Sequence, residues 1–284
     1  MLDLYKIEGC SNIHSEQLDG TEYNDPNYYP DFQNKLEEFK KKISDKVEKK
    51  EGFVVMRVYD GEFHFLQGKK VGNVGRRHCS IKLSRKFLEP FKEGCYKVDM
   101  ISVQMNKNME NFFKKVLPNL KISIPMDIIY GLFTNKWFLK TFKNRIALIG
   151  GIKKLDVIKN LMKYEEYRNY IENDYFLDYI SVPEIYSCDN CLEWIEEVGE
   201  KIKNSQASIF LYGIGISKMA ISYRFKEYKN AVFIDIGCGL SGLAGTCGTD
   251  RPYFGNWINY RMKDYDYSGM DPMDFNNKNT KYLS

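Results

Sequence analysis

The stretch from Ile146 to Ile236 constrains the fold more than any other part of the chain. Short, β-branched and almost wholly apolar runs stand at Ile146–Ile149, Tyr179–Val182, Ser208–Tyr212 and Ala231–Ile236. Between them lie segments of helical periodicity at Leu155–Met162, Leu192–Lys203 and Lys218–Tyr228, with glycines 150, 151, 213 and 215 at the strand ends. Strands buried on both faces that alternate with helices predict an α/β fold with a Rossmann-like parallel sheet flanked by helices.

The first half repeats the theme less regularly. Leu36, Phe39, Ile43 and Val47 recur at spacings of three and four among Lys and Glu, which predicts an amphipathic helix over Asn34–Glu51 that stops at Gly52. Phe53–Val58 reads as a buried strand. Helices are expected at Ile81–Pro90, Asn108–Leu117 and Met126–Phe142, with strands near Cys95–Val103 and Ile122–Ile124. Residues 1–34 are polar and without period, and read as an irregular arm. The stretch 240–284 is loop-rich and aromatic. No repeat or Gly/Ser linker interrupts residues 35–284, so a single α/β domain is expected, with any halves (35–143 and 144–284) sharing a cleft.

Composition narrows the function classes. Lys and Arg (42) exceed Asp and Glu (38) by four, which is no basic field of the kind that holds nucleic acid. No window approaches the roughly 18 apolar residues of a membrane span, and Ile122–Phe133 is broken by Pro125, Asp127 and Gly131. Seven cysteines without framework spacing, and a start lacking a basic then apolar segment, lead us to expect a cytoplasmic protein. The oligomeric state stays open, a homo-oligomer included.

Three places can carry chemistry. Asp60-Gly61-Glu62 leaves the strand Phe53–Val58 at its carboxyl end, where open α/β sheets place ligands. Two carboxylates one residue apart suit a hard divalent cation, Mn²⁺ or Mg²⁺, that also binds a diphosphate, and Arg57 can pair with either. The same tripeptide also suits a plain surface turn. Gly213-Ile214-Gly215, with Ser217 behind it, suits an anion at a helix start, or tight packing alone. The third place is Ile234-Asp235-Ile236-Gly237-Cys238-Gly239. It mimics the first motif of S-adenosylmethionine-dependent methyltransferases, whose glycines admit a cofactor.

Arg57-x-x-Asp60-Gly61-Glu62 after a strand resembles the Arg-x-Gly-Asp-Gly-Glu segment of the GT-D-fold glycosyltransferases, with Tyr59 standing where that family has glycine. Ile209–Lys218 is similar to the family's second-half strand, glycine turn and helix start, and Phe233–Gly237 to its following strand. The resemblance implies a metal-dependent enzyme moving a hexose from a nucleotide diphosphate sugar to a hydroxyl of a glycan or glycoconjugate. It implies Asp60 and Glu62 as metal ligands, and a nucleotide side lined by Gly61, Gly213, Gly215 and Lys218. Asp235 or Asp250 is then the candidate base, and Arg251 a contact to phosphate. A methyltransferase and a non-catalytic binding protein are the alternatives.

Two further features are weighed. Cys188-x-x-Cys191 has no second ligand pair and no strand-to-helix setting is expected for it, so both cysteines read as structural. Trp257, Tyr260, Tyr265 and Tyr267 suit either a sugar-stacking wall or the core.

Overall fold

The structure is a computed structural model that describes residues 30–67, 81–103, 112, 115–120, 122–184, 186–246, 254, 257–268, 270 and 279–284, with the backbone alone described at 30–33, 60, 81–87, 103, 122–123 and 125–127. Seven strands form one sheet: β1 (Phe53–Val58), β2 (Met100–Val103), β3 (Ile122–Pro125), β4 (Ile146–Gly151), β5 (Asp178–Val182), β6 (Ile209–Gly213) and β7 (Val232–Asp235). Their order is β3-β2-β1-β7-β6-β4-β5, and every neighbouring pair is parallel. A separate parallel pair, β8 (Asn259–Met262) and β9 (Thr280–Leu283), lies outside it.

The sheet is covered on both faces, as an all-parallel sheet must be. Along β1 the side chains alternate: Phe53 and Val55 enter one core, Val54, Met56 and Val58 the other. The first core is closed by helices Pro30–Glu48, Met126–Thr134, Trp137–Thr141, Ile152–Leu161, Glu165–Ile171 and Gly239–Leu243. The second is closed by Asp60–Leu66, Ile81–Lys97, Cys191–Asn204 and the short pieces between Lys218 and Tyr228.

This division positions the site. The chain leaves β1 for a helix on the second face and leaves the adjacent β7 for a helix on the first. Neighbouring strands whose connections depart to opposite faces leave a crevice at their carboxyl ends.

Several boundaries differ from the sequence reading. The first helix begins at Pro30, inside the expected arm; proline suits a first helical position because its missing N–H has no partner there anyway. It ends at Glu48, and the left-handed residue behind it is Lys50 (φ 54°), not Gly52. The helix expected to stop at Pro90 runs on to Lys97, so the next strand begins only at Met100. Met126–Phe142 is two helices, split at Lys136 (φ 62°). The helix expected over Lys218–Tyr228 is a chain of single turns, 3₁₀ at Gly215–Ser217 and Ser222–Arg224 and α at Lys218–Ile221 and Phe225–Tyr228. The helices Glu165–Ile171 and Gly239–Leu243 and the β8–β9 pair were not expected at all. The helix expected over Asn108–Leu117 falls largely outside the described residues.

Candidate functional site

Four ionised side chains from four chain segments meet at the carboxyl ends of β1 and β7. Arg57, Glu62, Lys218 and Asp235 are each at most 5% exposed. Burial of isolated charges costs several kcal/mol each, so such groups persist only when paired.

Asp235, the last residue of β7, is the hub. Its Oδ1 accepts from Gly237 N at 3.0 Å and pairs with Arg57 Nη2 at 3.3 Å. Its Oδ2 accepts from Arg57 N at 3.1 Å and pairs with Lys218 Nζ at 2.8 Å. The β1–β7 register ends at Val55 and Ile234, so the carboxylate serves a backbone N–H that has run past the ladder. Burial raises the Asp235 carboxyl, but the charges of Arg57 and Lys218 and the hydrogen bonds from Lys218 and the Arg57 N–H outweigh it. The net effect holds its pKa below the usual carboxylate value.

Asp60-Gly61-Glu62 is the first turn of helix Asp60–Leu66 and not a free turn. Tyr59 is its N-cap in extended conformation, and Glu62, at the third helical position, reaches back so that Oε2 accepts from Tyr59 N at 2.8 Å. Its other oxygen, Oε1, pairs with Lys218 Nζ at 3.1 Å. The backbone of Gly61 belongs to the same first turn. The side chain of Asp60 lies outside the described residues, as do Asp250 and Arg251.

Arg57 is held from the other side by Tyr130, on helix Met126–Thr134. The phenol oxygen accepts from Arg57 Nη1 and, at 3.4 Å, from Cys238 Sγ, and Arg57 Cζ stands 4.7 Å from the ring centroid. The sequence reading missed Tyr130, because a tyrosine in an apolar helix gives no sign of which face it serves.

The glycines explain how the segments come so close. Gly237 is left-handed (φ 43°), and a β-carbon there would lie 1.6 Å from Arg57 Nη2. At Gly213 it would lie 2.7 Å from the Gly237 carbonyl oxygen. Gly215 is left-handed too (φ 62°), and Ser217 Oγ donates to Ile214 O at 2.5 Å, within the turn. The glycine turn is followed by a 3₁₀ turn, Gly215–Ser217, where a regular helix start was expected. The segment is broken into single turns because Lys218 turns inward to Asp235 while Met219 packs where Gly94 leaves room: a β-carbon on Gly94 would stand 1.7 Å from Met219 O.

A divalent cation finds little to hold among the described residues. Glu62 is the one expected ligand whose side chain is described; both its oxygens already have donors, and the Lys218 ammonium beside it opposes a second cation. The cluster itself is balanced, two cations against two carboxylates.

The remaining candidates resolve simply. Cys188 and Cys191 do lie between a strand, β5, and a helix, Cys191–Asn204, contrary to expectation, but both are buried, and burial pushes the Cys191 thiol up to about 12, which disfavours the reactive thiolate. Trp257 stacks on Phe133 at 5.2 Å and donates Nε1 to Gly242 O at 3.1 Å; with Tyr260 and Tyr267 it belongs to the first core, and Tyr265 packs against it.

No protein-family model, curated protein or solved structure matches this chain. No helix among the described residues is long and apolar enough to cross a membrane.

Proposed function

We propose that the protein is a glycosyltransferase of GT-D type that moves a hexose from a nucleoside diphosphate donor to a hydroxyl of a glycan or glycoconjugate. One observation carries the reading. The three segments that resemble that family, the first of them more than a hundred residues of chain before the other two, bring Glu62, Lys218 and Asp235 into one ion-paired cluster at a sheet crevice.

In this reading the bond from the anomeric carbon to the diphosphate oxygen breaks, its electron pair leaves with the nucleoside diphosphate, and the acceptor oxygen bonds to that carbon. Arg57 and Lys218 are the positive charges available to the departing diphosphate, and cations already oriented in a dry site stabilise developing charge without reorganising. Asp235 holds both in place. Its depressed pKa and four donors make it a poor base, so of the two candidate bases Asp250 is the one left to take the acceptor's proton in an inverting transfer. Gly61, Gly213, Gly215 and Ser217 shape the walls.

The methyltransferase alternative has less support. The space that Gly237 leaves is filled by Arg57 and not open to a cofactor, and among the described residues the main sheet has no strand after β7 to carry a ribose-binding acid. One thermal-shift panel separates the readings: UDP, GDP, CDP and S-adenosylmethionine, each with Mn²⁺, with Mg²⁺ and with EDTA. A ligand that binds the native state raises its melting temperature. Stabilisation by one nucleoside diphosphate, followed by its release from the matching sugar donor, is the expected result. Stabilisation by S-adenosylmethionine alone overturns the proposal. The EDTA arm also decides whether the divalent ion expected at Asp60 and Glu62 is needed.

A further inference from the structure

We infer that Tyr130 is a positioning residue, which fixes the Arg57 guanidinium in the orientation from which it meets a diphosphate; the inference rests on the glycosyl-transfer reading. Arg57, Glu62, Lys218 and Asp235 all come from β1, from β7 or from the segments that follow β1 and β6. Tyr130 comes from the helix between β3 and β4, on the first face of the sheet. Its hydroxyl reaches the cluster from that face and accepts from Arg57 Nη1.

Three constraints meet on Arg57. The Asp235 carboxylate takes Nη2, but at 3.3 Å, which is long for a charged pair. Tyr130 takes Nη1 through its hydroxyl and lies under the guanidinium with its ring. Gly237 leaves the space into which the head fits. A guanidinium gripped at both terminal nitrogens swings less than one gripped at a single nitrogen, and the phenol supplies a grip on Nη1 beside that of the carboxylate on Nη2. The chemistry agrees with the location: a phenol 3% exposed on a helix that reads Met-Asp-Ile-Ile-Tyr-Gly-Leu-Phe-Thr needs a polar partner, and this one takes its partner from the site. An arginine oriented before the ligand arrives loses less rotamer freedom on binding, so the phenol acts on affinity for the diphosphate through its contact with Arg57.

The test is a double-mutant cycle read by calorimetric binding of inorganic pyrophosphate and of UDP, GDP and CDP to the full chain. Its corners are the wild type, Tyr130→Phe, Arg57→Lys and the double variant. Tyr130→Phe keeps the ring and its packing, and its melting curve reports the fold separately. It should weaken the diphosphate that the wild type binds by about tenfold, the size expected for one hydrogen bond to a charged group. In the Arg57→Lys background the same change should cost almost nothing, since the group it orients is gone. Equal losses in both backgrounds, or no loss in either, overturn the role of Tyr130 and leave the glycosyl-transfer reading standing. A wild-type protein that binds neither pyrophosphate nor any of the nucleotides removes that reading, and the inference falls with it.

Discussion

Gly237 and Arg57 share one volume: a β-carbon on the glycine would stand 1.6 Å from Nη2 of the arginine. The glycine is also left-handed, at φ 43°, which costs an L side chain roughly 1–2 kcal/mol before any clash. Gly237→Ala should therefore destabilise the protein by about 2 kcal/mol or more, because Arg57 must leave Asp235 to make room. Urea unfolding measures this. A loss well under 1 kcal/mol would show that Arg57 does not sit against β7.

Asp235 makes stability depend on acid. Its folded pKa lies below the ordinary value of 3.8, so its contribution is present above that value and is lost as the pH falls through the folded pKa. Asp235→Asn should remove this part of the acid limb. At neutral pH it should cost about 3–5 kcal/mol, because two buried cations are then left with one carboxylate. Unfolding free energies of both proteins, taken from neutral pH down into the acid range, provide the check. Parallel curves would show that the pairing is weak.

How much of this was legible beforehand depends on where the determining contacts lie. β1 was readable to the residue, because an apolar run bounded by Gly52 and Tyr59 carries its own signal. Arg57, Glu62 and Asp235 could be singled out because each lies at or just beyond a strand end with a glycine nearby, where polar groups collect, and Lys218 through the resemblance alone. Their mutual pairing was not readable, since it depends on which strands become neighbours. The breakage of Lys218–Tyr228 into single turns was hidden for the same reason: its periodicity is helical, and only the approach of Gly94 and the inward turn of Lys218 override it. Tyr130 was hidden in a helix whose composition announces only burial.

Ser102 offers a prediction of the opposite sign. It lies on β2 in register with Arg57, is wholly buried, and among the described residues its Oγ has no hydrogen-bond partner. A buried hydroxyl without a partner carries its desolvation cost and returns nothing. Ser102→Ala should thus stabilise the protein by about 1 kcal/mol, within the usual range for a buried unsatisfied group. The denaturant midpoint should rise with an unchanged slope. A fall of similar size would mean that the hydroxyl has a structural partner after all.

Glu62 separates the capping role from the electrostatic one. Glu62→Gln leaves an amide oxygen able to accept from Tyr59 N, so the first turn of helix Asp60–Leu66 should survive. It removes the negative charge facing Lys218, and since Lys218 keeps Asp235 the loss should be modest, about 1–3 kcal/mol. Under the proposed glycosyl transfer, turnover is expected to respond far more than stability. With Glu62 neutral, Lys218 is drawn wholly to Asp235, and the site loses the charge that holds the ammonium between the β1 and β7 sides of the crevice. The variant should melt within several degrees of the wild type and yet fail to release nucleoside diphosphate from a sugar donor. Full turnover by Glu62→Gln would leave this carboxylate as a helix cap and nothing more.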